Sequence, residues 1–127
     1  MGAHYTLSSV NPEEIKSAAG RFDLILFTAN VPLDWNLYLS TLKPRGRLHL
    51  AGAFLDPIEF SWIPLAFGQL DVSASPVGSP ATIAKMLDFA ALHSIKPIIQ
   101  KYKFSQVNEA VTKVRNGEGK YRVVLCH

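Results

Sequence analysis

Three short segments of this 127-residue chain place small and polar residues directly after apolar runs. In an open α/β sheet, ligands bind just beyond the carboxyl ends of the strands, where hydroxyls and backbone groups are free to meet them. Small residues are also common turn formers, and a turn explains any single segment at least as well as a ligand does. Together the three predict a candidate binding edge, made of residues 28–30 (Thr-Ala-Asn), 51–53 (Ala-Gly-Ala) and 75–79 (Ser-Pro-Val-Gly-Ser).

Nucleophilic and acid–base catalysis are not indicated by the sequence. It has no G-x-S-x-G motif that would expose a serine, and the single Cys126 has no neighbouring cation or predicted helix start that would activate its thiol. The paired carboxylates Glu13-Glu14 and Asp56/Glu59 fall in a predicted helix start and a loop, where capping and solvation account for them. We therefore predict no catalytic residue in this chain.

The four histidines, His4, His49, His93 and His127, have no spacing typical of a metal site. His49 alternates with leucines on a predicted strand, and a partly buried imidazole in such a place is normally hydrogen-bonded. We interpret it as a structural histidine and predict no metal ligand among these residues.

The composition, with 48% hydrophobic and 18% charged residues, is typical of one compact folded domain. The formal charge of +3 comes from scattered basic residues, which disfavours nucleic-acid binding. The densest basic stretch, residues 43–47, contains Pro44 and Gly46 and is interpreted as a solvated turn. A single cysteine, no signal-peptide pattern and no apolar run of the roughly 20 residues that a membrane helix needs predict a cytoplasmic protein without a membrane partner.

The first half of the chain has the pattern of strands alternating with helices. Asn11 suits a helix N-cap and Pro12 its first turn, and Gly20 ends that helix. Apolar residues recur at helical spacing over 35–42. The nearly continuous apolar run over 23–28 is typical of a strand buried on both faces. Strands are predicted over 5–8, 23–28, 47–51 and 70–74, with an irregular connection of about one helical turn over 54–69.

The second half continues this alternation. Ser79-Pro80 opens the clearest helix, and Ser105 is predicted to cap a last helix that Asn116-Gly117 ends. Residues 97–104 and 121–126 are predicted strands. Such spacing favours βαβ units and a parallel sheet, and so the α/β class with flanking helices. The predicted buried faces are Ile83, Met86, Leu87 and Ala90 on one helix and Val107, Ala110, Val111 and Val114 on the other.

The wording of seven successive segments resembles one enzyme family. They are GAHYTLSS, FDLILFTA, LKPRGRLHLAGA, IPLAFGQ, SPVGSPATIAKMLDFAALHSIKP, VNEAV and KYRVVL. In this order they resemble zinc-dependent alcohol dehydrogenases of the medium-chain dehydrogenase/reductase superfamily, in particular the cinnamyl-alcohol-dehydrogenase-like branch. The resemblance implies a partial Rossmann-like parallel sheet, with strands three to six of the cofactor domain followed by a carboxyl-terminal segment.

The resemblance also implies cofactor contacts. The positions of Thr28, Gly52 and Ser75 to Val77 lie along the ribose and nicotinamide in that family, and Arg122 matches an arginine that reaches the pyrophosphate. A guanidinium suits a pyrophosphate because its donors match two oxygens at once. The chain departs from the family at Pro76, where an aromatic is frequent, and at Phe27, where an aspartate precedes the threonine. Proline has no N–H for a carboxamide. The cofactor-binding residues so implied are Thr28, Gly52, Ser75, Pro76, Val77 and Arg122.

Two parts of such an enzyme are not found in this sequence. There is no phosphate-binding G-x-G-x-x-G, and the zinc ligands would come from a separate amino-terminal domain. The prediction is therefore a truncated carboxyl-terminal part of an NADP-dependent enzyme that transfers hydride between cofactor and alcohol or aldehyde, with NAD not excluded and with zinc only in the absent domain. The isolated chain is expected to be inactive. The alternatives are a stand-alone folding or dimerisation module and a piece of a zinc-free quinone oxidoreductase.

Lack of the first two strands would also leave strand edges unpaired. In the family's strand order two positions would be empty between residues 5–8 and 23–28. We expect the first strand to collapse onto its neighbour, exchange with another chain or fray, and the exposed edge to favour association. A homodimer through a sheet edge, either this one or that of residues 70–74, is the predicted partner.

Overall fold

The computed structural model describes residues 3–53 and 57–127 and has the α/β class that the sequence predicts. Residues 54–56, and with them the start of the irregular connection and the Asp56 carboxylate, lie outside the described residues. Contacts divide the chain into two compact units, Met1–Gly78 and Ser79–His127. The expectation of a single compact unit is therefore replaced by two.

The first unit is built from alternating helices and strands. Its elements are α1 (Pro12–Lys16), β1 (Phe22–Phe27), α2 (Trp35–Ser40), β2 (Leu42–Leu50), α3 (Trp62–Gly68) and β3 (Asp71–Ala74). The three later strands were predicted, and α3 is longer than the single turn expected. Residues 5–8 do not form a strand, so that prediction is wrong. None of the described strands pairs with this segment, and a strand without a neighbour has no partner for its backbone groups.

The sheet of the first unit is entirely parallel, in the order β1-β2-β3. Ile25 of β1 lies opposite Leu48 of β2, and Leu48 lies opposite Val72 of β3. A core forms on one face, where α2 packs onto β2 and where Ile25 also makes contact. Its buried members are Trp35, Leu39, Leu42, Leu48 and Leu50.

The prediction that β1 is buried on both faces is wrong. Leu24 and Leu26, which point to the face opposite the core, are 58% and 59% exposed. Only the alternate residues Ile25 and Phe27 pack against the core cluster. A continuous apolar run predicts a strand that can be buried on both faces. In the described part of the chain, helices and loops pack against only one face of β1.

Local signals explain where the helices of this unit begin. The side chain of Asn11 accepts a hydrogen bond from the Glu13 backbone N–H, which caps α1 as predicted. Glu14 does not complete a capping box, because its carboxylate accepts from the Ser8 backbone N–H at 2.8 Å and from the Asn11 amide. Asp34 caps α2 by accepting from the Leu37 N–H at 3.1 Å. Caps of this kind contribute about 1 kcal/mol each.

The basic stretch 43–47 is part of β2 rather than a turn outside it. Two positions along β1, from 22 to 24, correspond to five along β2, from 42 to 47, so the extra residues bulge out. Arg45 adopts a left-handed conformation at φ 63°. A side chain at Gly46 would come within 2.8 Å of the Lys43 carbonyl oxygen. The strand therefore begins at Leu42, five residues earlier than predicted.

The second unit has α4 (Pro80–Leu92), β4 (Ile99–Lys103), a 3₁₀ turn (Phe104–Gln106), α5 (Val107–Arg115) and β5 (Arg122–Cys126). β4 and β5 form a parallel pair of their own. Ser79 caps α4, its hydroxyl accepting from the Thr82 N–H at 3.2 Å. Ser105 does not cap α5, because it lies inside the 3₁₀ turn and Gln106 occupies the N-cap position. Both strands are confirmed, although they are shorter than the predicted 97–104 and 121–126.

The apolar stripe of α4 does not face a core. Met86 and Leu87 are 53% and 59% exposed, and among the described residues of this unit Ala110 on α5 is the buried side chain. Periodicity predicts which face of a helix is apolar, but it does not supply the surface that would cover it. No helix within residues 3–53 and 57–127 is long and apolar enough to cross a membrane.

Candidate functional site

Three of the predicted site segments meet at the carboxyl edge of the first unit's sheet. Thr28 follows β1, Gly52 lies two residues beyond β2, and Ser75 follows β3. The ladder of backbone hydrogen bonds extends past the strand ends, with Ala51 N donating to the Phe27 oxygen at 2.8 Å and Ser75 N to the Leu50 oxygen at 3.1 Å. The structure therefore brings together the three strand tips that the carboxyl-end rule selects.

Gly52 lies against the backbone that follows β1. A Cβ at this position would be 3.0 Å from the Ala29 carbonyl oxygen and 3.3 Å from that of Thr28. These neighbours are backbone atoms at the end of a paired strand, so they cannot move aside as a flexible side chain would. Glycine thus allows two strand tips to approach each other closely, with no side chain between them.

Ser75 is connected to the sheet through His49. The His49 ring lies between two hydroxyls, with Nδ1 2.9 Å from Ser73 Oγ and Nε2 2.9 Å from Ser75 Oγ. The prediction of a satisfied structural histidine is confirmed. The sequence did not identify its partners, although strand register could have done so, because Ser73 lies directly opposite His49.

Pro76 and Val77 continue the loop after β3. Both are exposed, and Val77 has 83% of its surface accessible. Pro76 carries no N–H, so the main-chain donors of this loop begin on either side of it. The loop therefore presents an apolar side chain and the Ser75 hydroxyl to its surroundings.

Arg122 belongs to the second unit. It is the first residue of β5, opposite Ile99 at the start of β4, and its side chain is exposed. It therefore lies at the amino end of its strand, unlike the strand-tip residues of the first unit. Its contact with a pyrophosphate stays a prediction.

A cavity that the sequence did not indicate lies next to the first strand tip. Its volume is about 560 Å³, and its polar lining includes Asn30, Asp34, Asn36 and Glu59. Asn36 already accepts a hydrogen bond from the Ser61 N–H at 2.8 Å, and Asp34 caps α2. Two segments distant in sequence, 30–36 and 57–59, form this cavity, and the sequence, which singled out Asn30 and Glu59 separately, did not indicate that they line one cavity.

The site offers hydrogen-bonding groups rather than a catalytic pair. Within the described ranges, no group of three or more His, Cys, Asp or Glu side chains could hold a metal ion. The pKa of Lys16 is raised by its hydrogen bond and ion pair with Glu13, and that of Lys113 by Tyr102; neither residue belongs to the candidate site. The hydroxyls of Thr28 and Ser75, the missing side chain at Gly52 and the backbone groups at the strand ends suit the binding of a polar, flat ligand.

Comparisons with known proteins agree with this arrangement. The sequence profile described as zinc-binding dehydrogenase matches residues 1–92. The chain is 55% identical over its whole length to an aldehyde reductase, AdhA, of Synechocystis sp., and covers 38% of that protein. It is 34% identical over 98% of its length to NADP-dependent alcohol dehydrogenase C 1 of Mycolicibacterium smegmatis, and covers 36% of it.

A solved structure is similar as well. The chain superimposes on a cinnamyl alcohol dehydrogenase of Sorghum bicolor with a TM-score of 0.91 and 31% identity, covering 98% of this chain and 35% of that one. This similarity confirms the predicted partial Rossmann-like fold, with parallel strands and flanking helices. The chain thus spans somewhat more than a third of the length of the relatives it matches.

Proposed function

The chain belongs to the zinc-binding dehydrogenase family, and from that membership we propose that it forms the nicotinamide side of the cofactor site in an NADP-dependent alcohol dehydrogenase or aldehyde reductase. The relatives bear names of alcohol and aldehyde dehydrogenases. When bound, the nicotinamide ring gives or takes the hydride. The residues of this chain hold and orient that ring.

The observation that carries the proposal is the meeting of Thr28, Gly52 and Ser75 at one sheet edge, with no side chain on the middle tip. A Cβ at position 52 would lie 3.0 Å from the Ala29 carbonyl oxygen and 3.3 Å from that of Thr28, so glycine lets these strand tips approach each other closely. A ribose or a flat ring approaches a sheet edge closely only where no side chain stands in the way. Hydroxyls on both sides can then bond its polar groups.

Each implied residue has a task that fits its chemistry. Thr28 and Ser75 offer hydroxyls that donate or accept, and Val77 offers an exposed apolar surface for the ring face. Pro76 offers no N–H, so the carboxamide must find its donors elsewhere in the loop. Arg122 would pair with the pyrophosphate.

Cofactor choice and metal belong to the proposal in a limited way. The name of the M. smegmatis relative supports NADP, while the residues that would select its phosphate, after the second strand of a complete cofactor domain, are not in this sequence. The described residues also do not fit a zinc site. We therefore propose that zinc ligands and the phosphate-binding loop lie outside these 127 residues, and that the isolated chain does not turn over substrate.

The test uses the two halves of the cofactor separately. The isotope-labelled chain is titrated with nicotinamide mononucleotide and, in parallel, with adenosine 2′,5′-bisphosphate, and amide NMR shifts are followed. We expect the nicotinamide half to shift the signals of Thr28, Gly52 and Ser75, with a Kd on the order of 1 mM or weaker because only a few hydrogen bonds contribute. The adenine half should leave these signals unchanged.

Two glycine variants control this titration. Gly52→Ala should abolish the shifts while the spectrum stays dispersed, and Gly119→Ala in the second unit should leave them intact. Shifts caused by the adenine half alone, or undiminished binding in Gly52→Ala, would contradict the proposal. Micromolar affinity for NADP would contradict the view that the isolated chain lacks most of the site.

The second candidate is a non-catalytic module that dimerises through a sheet edge. Among the described strands β3 pairs only with β2, so its other edge is available, and Val72 on it is 36% exposed. Light scattering after size-exclusion chromatography tests this: Val72→Lys should convert a dimer to a monomer if β3 is the interface.

A cytoplasmic location is proposed with either function. A piece of a zinc-free quinone oxidoreductase stays the third alternative. The presence or absence of zinc-ligand residues in the adjoining coding sequence would distinguish it from the proposed function.

A further inference from the structure

His49 and two serines form a short hydrogen-bonded row across the carboxyl end of the first unit's sheet. Ser73 faces His49 in register, and Ser75 lies two residues further on the same face of the sheet. Both ring nitrogens are engaged at 2.9 Å. The row is therefore Ser73, His49, Ser75, and it ends at the proposed ligand edge.

The residues around the His49 ring on this face of the sheet do not compete with these two hydroxyls for its nitrogens. On β1 the residue opposite His49 is Leu26, which is apolar. Two charged residues of the same strands, Arg47 and Asp71, are paired with each other at 3.2 Å. The ring is half-buried and held from both ends, so its orientation is fixed.

A neutral imidazole imposes opposite roles on the two serines. One ring nitrogen carries a proton and donates, while the other accepts, so one serine must accept from the ring and the other must donate to it. Both partners are hydroxyls that can do either. The isolated histidine side chain prefers the proton on Nε2, and two equivalent partners do not reverse that preference. Ser75 then accepts from the ring, and its own O–H is left to donate outward.

We propose that His49 is a positioning residue that holds the Ser75 hydroxyl as a hydrogen-bond donor toward the ligand at the strand tips, which selects a ligand with a carbonyl or carboxamide oxygen at that point. The inference rests on the proposed function for the identity of the ligand. It gives Ser73 a supporting part, because Ser73 donates to Nδ1, the ring nitrogen that carries no proton.

The first test measures the proton directly in the unmodified chain. Nitrogen-15 NMR of the imidazole distinguishes a protonated Nε2 from a protonated Nδ1. We expect His49 to have Nε2–H, and Ser73→Ala to retain it, because Nδ1 then loses only the hydroxyl that donates to it. A predominant Nδ1–H form in the unmodified chain overturns the inference whatever binds at the edge.

The second test measures affinity for nicotinamide mononucleotide by NMR. We expect His49→Phe to weaken binding about three- to tenfold, the worth of one hydrogen bond, and His49→Gln, whose amide both donates and accepts, to restore part of it. In a Ser75→Ala background His49→Phe should have no further effect, because His49 acts through Ser75. His93→Phe in the second unit is the matched control and should bind as the unmodified chain does.

The two proposals fail in different ways. If the mononucleotide causes no shift at Thr28, Gly52 or Ser75 in the unmodified chain, the proposed function fails and the ligand part of this inference fails with it. If the mononucleotide binds but His49→Phe, with a dispersed spectrum, binds equally well, the role of His49 is refuted and the proposed function stands. Additive effects of His49→Phe and Ser75→Ala also refute it.

Discussion

The two units of this chain are built by the same rules but differ in how much they bury. Each has parallel strands, capped helices and an apolar helix face. The first unit encloses a core around Leu39 and Leu48, whereas in the described part of the second unit only Ala110 is buried. Helix α2 packs its apolar face against β2, whereas the apolar face of α4 is exposed. Capping residues and apolar periodicity therefore form helices and strands in both units. We expect the stability of each unit to depend on how much of its apolar helix face is buried against a sheet.

The largest expected effect is a matched pair of leucine truncations. Leu48→Ala removes a fully buried side chain from the core and should lower the free energy of unfolding by about 2–5 kcal/mol. Leu87→Ala on the exposed stripe of α4 should change it by only about 0.5 kcal/mol or less. Urea unfolding followed by circular dichroism measures both. Equal losses would mean that α4 is covered in solution and would remove the contrast between the units.

A pair of glycine substitutions compares rigid with yielding surroundings. Gly52→Ala meets backbone oxygens and should cost about 1–3 kcal/mol. Gly119→Ala meets methyl groups of Val114 and Val123, both at 3.3 Å, which can rotate or shift, so a cost below about 1 kcal/mol is expected. Thermal unfolding curves give the comparison. If Gly52→Ala left the stability unchanged, the close approach of the strand tips at Gly52 would be contradicted.

The helix caps sharpen the comparison further. Asp34→Ala and Ser79→Ala should each cost about 0.5–2 kcal/mol, since each removes a partner of a helix N–H. The loss at Asp34 should appear in the unfolding of the whole first unit, because α2 packs on the core. The loss at Ser79 should appear as faster hydrogen exchange in the first turn of α4. Ser105→Ala, at a position that caps nothing, is the control and should change neither.

The smallest effect concerns two exposed lysines. In the second unit Tyr102 raises the pKa of Lys113 above its ordinary 10.5, and in the first unit Glu13 raises that of Lys16. A raised pKa means that the folded state binds the proton more tightly, so the contribution is complete below pH 10.5 and is lost as the pH rises through the folded value. Tyr102→Phe and Glu13→Gln should return the respective pKa toward 10.5 in an NMR titration of the lysine nitrogens. An unchanged titration in both variants would count against these pairs.

The sequence predicted the elements best where the signal is local. Asn11-Pro12 and Ser79-Pro80 mark helix starts because a capping side chain and a proline act within one turn. The predictions failed where the outcome depends on distant residues. Residues 5–8 form no strand, since none of the described strands pairs with them, and Pro44 to Gly46 were interpreted as a turn because the register with β1 was unknown.

The candidate site was predicted in part for the same reason. The rule that parallel strands end at one edge predicts three segments, the family resemblance selects Thr28, Gly52 and Ser75 within them, and the structure brings these three together. The partners of His49 depend on strand register, and the cavity at Asn30 depends on two loops that only the folded chain brings near each other. Arg122 rests on the family resemblance alone, and its role is still a prediction.

The order of the strands in the first unit has a consequence for biosynthesis. β1, β2 and β3 occupy the sheet in the order in which the ribosome makes them, and each pairs with the strand that preceded it. A nascent chain can therefore extend the layer one strand at a time, without waiting for a segment still inside the exit tunnel. Once residue 50 has left the exit tunnel, the first two strands can already join, and β3 then adds to the free edge of β2.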